Sequence, residues 1–504
     1  MSRITYRANL SAKSFPFLSQ NWGRTIIVPQ YDNTFNRQVT SSADVDADVG
    51  IPQIYYCHNV MPEQQGFQSI GYTVVQLPAV VGTVQEQFLA RDGVGNAVYL
   101  IVNSAGNVYR QLLGAWTYVQ TLPAGIRTTA YISGVFYLYV AKQGCYIYDF
   151  ASNTLVAVVL TTLIPANILG ITTAAGYMIA WESSKVLWSS TITPADFTPD
   201  LVTGAGSGGV EGAKGAINLC AAQLLGFIVY TTNNAVAALF SGNARYPFNF
   251  REIVASGGLA SLNQLAFDAN SGSHYAYTTS GMQLISSSST QSILPELTDF
   301  ISGKLFEDYN EVTDVFTSTP LTQTLQKQVN MISDRYLIIS YGITSLTHAL
   351  VYDLVTKRWG KLKIPHVQCF EYQLPSASVI EIPRQSIAFL QVDGTMTTVD
   401  FSVTSATSAG VVALGKFQFV RPRMIQLDEI ALENVEQGNT FSIYDLVTLD
   451  GKNGTKKTPT LLQSSGLFRK YGLESAVGIN HSLVLKGAFS LVSLVLTFHI
   501  HGKS

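Results

Sequence analysis

Chemistry in this 504-residue chain is first sought where glycines, acids, cations or metal-binding residues stand close together. Gly204-Ala205-Gly206-Ser207-Gly208-Gly209 has the spacing of a dinucleotide loop, whose glycines let a pyrophosphate rest on the N–H groups of a following helix. Pro199-Asp200 ahead of it and the glycine-rich stretch 212–215 behind it supply neither the strand nor the helix required, so it reads as a surface loop. Asp44-Val45-Asp46-Ala47-Asp48 begins like a calcium loop, but Val49 stands where the turn glycine belongs and Tyr55 where the bidentate glutamate belongs. His499 and His501 would share one face of a strand, and two imidazoles need a third ligand to hold a metal. Four acids, Glu307, Asp308, Glu311 and Asp314, fall within eight residues and read as a solvated loop. Lys357, Arg358, Lys361 and Lys363 form a basic cluster able to meet phosphates; the favoured reading is a sheet edge where lysines block pairing with another sheet. The chain contains neither a GxSxG elbow nor a Walker loop. Cys57, Cys145, Cys220 and Cys369 are at least 75 residues apart and read as small core hydrophobes. These residues predict no catalytic centre, no cofactor site and no metal site.

The scaffold around them is weakly charged. Lys and Arg number 31 and Asp and Glu 33, so charged residues make up 13% of the chain against about 25% in typical domains. An apolar fraction of 47% excludes disorder, and a net charge of -2 supplies no field that would steer the chain onto nucleic acid or an anionic membrane. Met1–Arg7 has no apolar run, so no secretory signal is expected. Leu483–Phe498 is interrupted by Lys486, Gly487, Ser490 and Ser493 and is shorter than the roughly 20 residues of a membrane span. A cytoplasmically made chain with much surface buried against other subunits is expected.

Period-2 apolar patterning recurs along the chain, with a strand, a polar turn and a second strand that often ends in an aromatic. Such units open at Ala97, Val135, Tyr177, Leu224, His274, Tyr336 and Ser386. Their spacing of about 38 to 62 residues is near the period of propeller blades. Hairpin follows hairpin without helical crossovers, which predicts an all-β protein: a β-propeller of five to seven blades, six favoured, over residues 51–410. Pro295–Ile301 predicts an amphipathic helix opening an insertion at about 290–330 that lacks strand alternation. Residues 411–504 read as a C-terminal β-sandwich-like domain, and residues 1–50 as an arm that a partner must order. Leu350-Val351-Tyr352-Asp353 to Trp359 has the form of a kelch strand and turn, repeated without the Trp at Ile147–Thr154; both lack the kelch double glycine.

Three stretches carry a resemblance to a family. Cys57-His58-Asn59-Val60-Met61-Pro62, followed by Gly66, Ser69 and Gly71-Tyr72, resembles the opening segment of the tail hub, or nozzle, proteins of short-tailed double-stranded DNA phages, also called tail tube or packaged-DNA stabilisation proteins. Val186-Leu187-Trp188-Ser189-Ser190 with Pro194-Ala195-Asp196-Phe197 is similar to a blade of that family. The insertion from Pro295, then Arg335–Ile339 and Ala349–Asp353, resembles its helical segment and the strands after it. The resemblance covers most of residues 51–504. It implies a non-enzymatic virion protein, assembled in the host cytoplasm as a ring of typically six copies below the portal and adaptor. Such a ring retains the genome, conducts it during ejection, and meets fibre, spike or needle proteins. Duplex DNA would pass its lumen without specific binding, and the four acids at 307–314 are the candidate lumen-facing loop. Two alternatives are a propeller glycosidase or depolymerase, and a carbohydrate-binding tail protein that recognises the host surface.

Overall fold

A computed structural model of the chain describes residues 54–301 except 64–65, 79 and 113, residues 305–400 except 311–314, 322–324 and 374–384, and strands within 3–28 and 410–501. Seven sheets, each with four antiparallel strands around the ring, follow one another: blade 1 (84–121), blade 2 (127–158), blade 3 (170–209), blade 4 (217–252), blade 5 (265–292), blade 6 (326–366) and blade 7 (368–400). The fourth strand of blade 7 is Gly71–Gln76, which pairs with Met396–Asp400 and closes the ring with an early piece of chain. The protein is a β-propeller. Seven blades lie within the expected range but correct the favoured six, because two long excursions stretch the repeat: 189–205 inside blade 3 and 293–325 between blades 5 and 6.

The apolar run of each repeat is the second strand of its blade, counting outward from the channel. Tyr177–Trp181, Gly226–Thr231 and Ser273–Thr278 are buried throughout, since a central strand covered on both faces has no solvent side. The outer strand Thr154–Val158 buries Leu155 and leaves its neighbours more open. Several hairpins share one turn. Asp149, Asp268 and Asp353 each accept N–H groups two or three residues on, and Asn153, Gly272 and Lys357 then take φ of 57°, 64° and 58°. The Asp supplies the acceptor of an Asx turn, and the residue four positions later reverses the chain.

The helix Pro295–Ile301 forms as expected and buries Leu297 and Ile301. The stretch after it corrects the expectation of no strands: Leu305–Asn310 pairs with Val315–Pro320 as a hairpin, with Glu307 opposite Ser318 and Asp308 opposite Thr317. The acids had disguised its β-branched and aromatic residues.

Two more sheets form the second domain. One has the order Arg3–Asn9, Ser493–His501, Met424–Glu433, Phe468–Gly472, Thr460–Ser465. The other runs Thr25–Val28, Lys416–Phe419, Asn480–Ala488, Gly410–Leu414, Ile54–His58, with Thr440–Thr448 and Thr455–Lys457 beside it. Leu427, Ile430 and Leu496 of the first sheet share a core with Val412, Leu483 and Leu485 of the second. The expected partner-ordered arm is therefore corrected in part: Arg3–Asn9 pairs over seven residues with Ser493–His499, and Thr25–Val28 lies parallel to Lys416–Phe419. The partner of these two strands is the chain's own C-terminal half. Asp44–Asp48 lies outside the described residues.

Candidate functional site

The inner strands of the propeller are stitched to one another by side chains. Gln368 of blade 7 accepts from the Gln87 backbone N–H of blade 1 at 2.7 Å and donates back to the Gln87 carbonyl at 3.3 Å. Gln328 of blade 6 accepts from Cys369 N–H at 3.3 Å. Between blades 1 and 2, Arg127 meets Glu86 at 3.0 Å; burial raises the Glu86 carboxyl and the guanidinium pulls it the other way. Thr128 Oγ1 accepts from Ile171 N–H across blades 2 and 3 at 2.8 Å. His274 Nε2 donates to the Ala222 carbonyl at 2.7 Å, which leaves Nδ1 to accept from the Tyr230 hydroxyl at 2.8 Å. Burial pushes this imidazole down to about 4, against the opposing hydrogen bond from Ala222. His366 behaves alike, with Nδ1 donating to Ile364 and Nε2 accepting from Ser340, and is also pushed down to about 4 by burial. Both rings are neutral near pH 7.

One side of the channel holds a cavity of about 220 Å³ lined by Thr128, Thr172, Trp181, Leu219, Phe267 and His274 among others. No wall residue carries a charge at neutral pH, and the space is far too small for a duplex. Among the described residues no three His, Cys, Asp or Glu side chains come together to hold a metal, and no helix is long and apolar enough to cross a membrane.

The sequence candidates land in architectural places. Glu307 and Asp308 are adjacent on the first strand of the inserted hairpin, while Glu311 and Asp314 lie outside the described residues. The basic cluster is not a free edge. The strand Arg358–His366 is covered by Val60–Glu63, paired through Lys361 and Val60, and Lys361 is 2% exposed. Its cation opposes the burial that raises the Cys57 thiol. The glycine-rich stretch supplies Gly206–Gly209, the outer strand of blade 3, rather than a loop. A Cβ on Gly206 or Gly208 would stand 3.2–3.3 Å from the Trp188 ring, so these glycines make room for an indole instead of a phosphate. His499 and His501 lie on one strand, with His499 in register with Gln426 and His501 with Met424.

One polar junction between the domains is one that spacing rules did not single out. Asn59, buried at φ 49°, ends Ile54–His58 of the second domain and begins Val60–Glu63 on blade 6. Its Oδ1 accepts from the Tyr72 hydroxyl at 3.1 Å and from Lys363 N–H at 2.9 Å, and its carbonyl accepts from Ile70 N–H at 3.1 Å. One side chain thereby ties the second domain to blades 6 and 7. In blade 3, Ser189 Oγ accepts from Met178 N–H, Ser190 Oγ accepts from Ile192 and Thr193 N–H, and Phe197 is buried, so the Trp-Ser-Ser and Pro-x-x-Phe residues fold the 189–205 excursion back on itself. In blade 6, Tyr352 lies 4.7 Å from Trp359. Asp353 is fully buried and holds Arg335 at 2.7 Å.

No family model and no curated protein matches the chain. Among solved structures it is similar to YCF48 bound to D1 peptide (10% identity, 65% of this chain and 96% of that one, TM-score 0.36). It is also similar to the WD40 propeller domain of Doa1 (8%, 66% and 97%, 0.38) and to the extracellular domain of a putative one-component system of B. thetaiotaomicron (12%, 93% and 66%, 0.40). The β-propeller assignment itself stands on the order and pairing of the blades.

Proposed function

We propose that this chain is a structural subunit of a short phage tail, forming the ring-shaped hub or nozzle that retains packaged DNA and conducts it during ejection. The observation that carries this reading is where the hub-like residues sit. The segment Cys57–Tyr72 crosses from the second domain to blade 6 and on to blade 7, and Asn59 bonds at each end of the crossing. Residues of this kind preserve a two-domain frame, as a subunit of a large assembly requires. In this reading the conduit lies between copies of the chain. Electron microscopy of the purified full chain tests it. A closed ring with a lumen wide enough for a duplex is expected; a monomer, or a slender threefold spike, overturns the proposal.

A further inference from the structure

A patch of exposed apolar residues occupies the rim of blades 2 and 3. Val159, Ile164, Ile192, Leu201 and Val202 are 63–87% exposed. They belong to two excursions fastened together: Thr161 N–H donates to the Ala195 carbonyl at 2.9 Å, Thr161 bridges Asp196, and Leu160, Leu163, Ala195 and Phe197 share the core beneath. From Phe150 to Trp181 the sequence has no charged residue, and from Val186 to Val210 it has only Asp196 and Asp200. Single exposed apolar residues need no explanation, but several on adjoining loops mark an interaction site. The charged residues within these two stretches are carboxylates, which disfavour nucleic acid and anionic lipid.

The chain itself carries the complementary surface. In a ring of seven, blade 6 stands across from the seam between blades 2 and 3, and the edge of blade 6 bears the second domain through Val60–Glu63, Gly66–Ser69 and Ser490–Leu491. That domain's five-stranded sheet ends on Thr460–Ser465, an edge strand whose Leu461 and Leu462 are 51% and 59% exposed. Lys456 and Lys457 precede this strand, and Arg469 and Lys470 lie on the strand paired with it. We infer that the rim of blades 2 and 3 docks the Thr460–Ser465 edge of a second copy of this chain, apolar against apolar, with Asp196 and Asp200 facing the basic residues around that edge. Two different surfaces of one molecule make a head-to-tail contact, which closes as a ring when the rotation permits. The inference rests on the hub reading for ring closure but not for the contact.

The test uses full-length protein and two variants, Val159→Glu with Val202→Glu on the rim and Leu461→Glu with Leu462→Glu on the edge. Each is expected to sediment as a monomer, because each lacks one half of the contact. Their equimolar mixture is expected to form a dimer through the two intact halves. Assembly by either variant alone, or a mixture that stays monomeric while both variants keep wild-type circular dichroism and melting, overturns the inference. A readout without disruptive substitutions is carbodiimide cross-linking of the wild type. Inter-chain linkage of Asp196 or Asp200 to Lys456, Lys457 or Lys470 supports the contact, and its absence from an assembled wild type overturns it. Microscopy separates the two proposals. A ring without this cross-link leaves the hub reading standing and removes the contact, whereas cross-linked dimers or open filaments keep the contact and remove the hub.

Discussion

Asp353 offers a sharp test of how the propeller is held together. Its side chain is fully buried at the end of Leu346–Asp353, where Oδ2 accepts from Arg335 Nη2 at 2.7 Å and Nε at 3.2 Å, and Oδ1 from Val355 and Thr356 N–H at 2.9 and 3.3 Å. Asp353→Ala removes a charge-assisted contact that contributes about 1.5–3 kcal/mol. It also removes the acceptor of a turn, comparable to a lost helix cap at about 1 kcal/mol. The Arg335 side chain is 43% exposed and regains water, so the larger cost of stranding a buried charge, about 3–5 kcal/mol, is not reached. The expected loss is about 3 kcal/mol, or about 1 M in urea midpoint if the slope is about 3 kcal/mol per molar. Trp359, packed on Tyr352 beside this turn, is the fluorescence probe. Asp353→Asn keeps a turn acceptor and loses only the charge, so it should fall between wild type and Asp353→Ala. Burial alone would raise this carboxyl, but the Arg335 and backbone hydrogen bonds hold it below its ordinary value. Its contribution is therefore complete above the unfolded value near pH 4 and disappears as pH falls through the lower folded value. A loss below about 1 kcal/mol for Asp353→Ala, or strict additivity with Arg335→Ala in a double-mutant cycle, would refute the account.

His274 and His366 respond in a different window. Each is pushed down to about 4 in the folded state, so the unfolded state takes up the proton first and stability falls as pH drops from about 6.5 toward 4, by at most about 3 kcal/mol per ring. Urea midpoints between pH 4.5 and 7.5 should show this slope, and His274→Gln should roughly halve it while Asp353→Asn leaves it unchanged. Gln368→Leu strands the buried Gln87 N–H at a cost of about 1–3 kcal/mol, and amide exchange should accelerate in Val84–Arg91 before it does in Ile217–Gln223. If both strands accelerate together, the seam between blades 7 and 1 is no weaker than the rest of the ring. Finally, the assembled protein should bind linear duplex no tighter than about 10⁻⁶ to 10⁻⁴ M at 0.15 M salt, because a sliding conduit cannot hold phosphates. Nanomolar anisotropy titrations would contradict the conduit reading.

Much of the fold was written in the spacing of apolar runs. All seven starts, from Ala97 to Ser386, fall at or within two residues of the second strand of one blade, because that strand is buried on both faces and cannot alternate. The count stayed open for a physical reason. The outer strands are short and half-exposed, as in Thr154–Val158, and one of them, Gly71–Gln76, lies some three hundred residues from the blade it completes. Local periodicity carries no information about such a pairing. The same holds for Arg3–Asn9 and Thr25–Val28, whose short apolar content looked insufficient for order until strands from the far end of the chain covered them.

The candidate site was less legible, and the misreadings share a cause. Lys361 looked like an edge lysine because its strand is the last of blade 6 in sequence, yet Val60–Glu63 returns from upstream to cover it. Gly360 makes that approach feasible: a Cβ there would lie 2.6 Å from the Val60 carbonyl oxygen. The stretch 204–209 looked like a phosphate loop because its glycines at 204, 206 and 209 have the same spacing whether the segment admits a pyrophosphate or, at Gly206 and Gly208, the face of Trp188. In each case the deciding neighbour is remote in sequence, and the residue type records only that something comes close. Asn59 shows the converse. Nothing in its local pattern signals chemistry, yet its φ of 49° and three hydrogen bonds fix the course of the chain between the two domains.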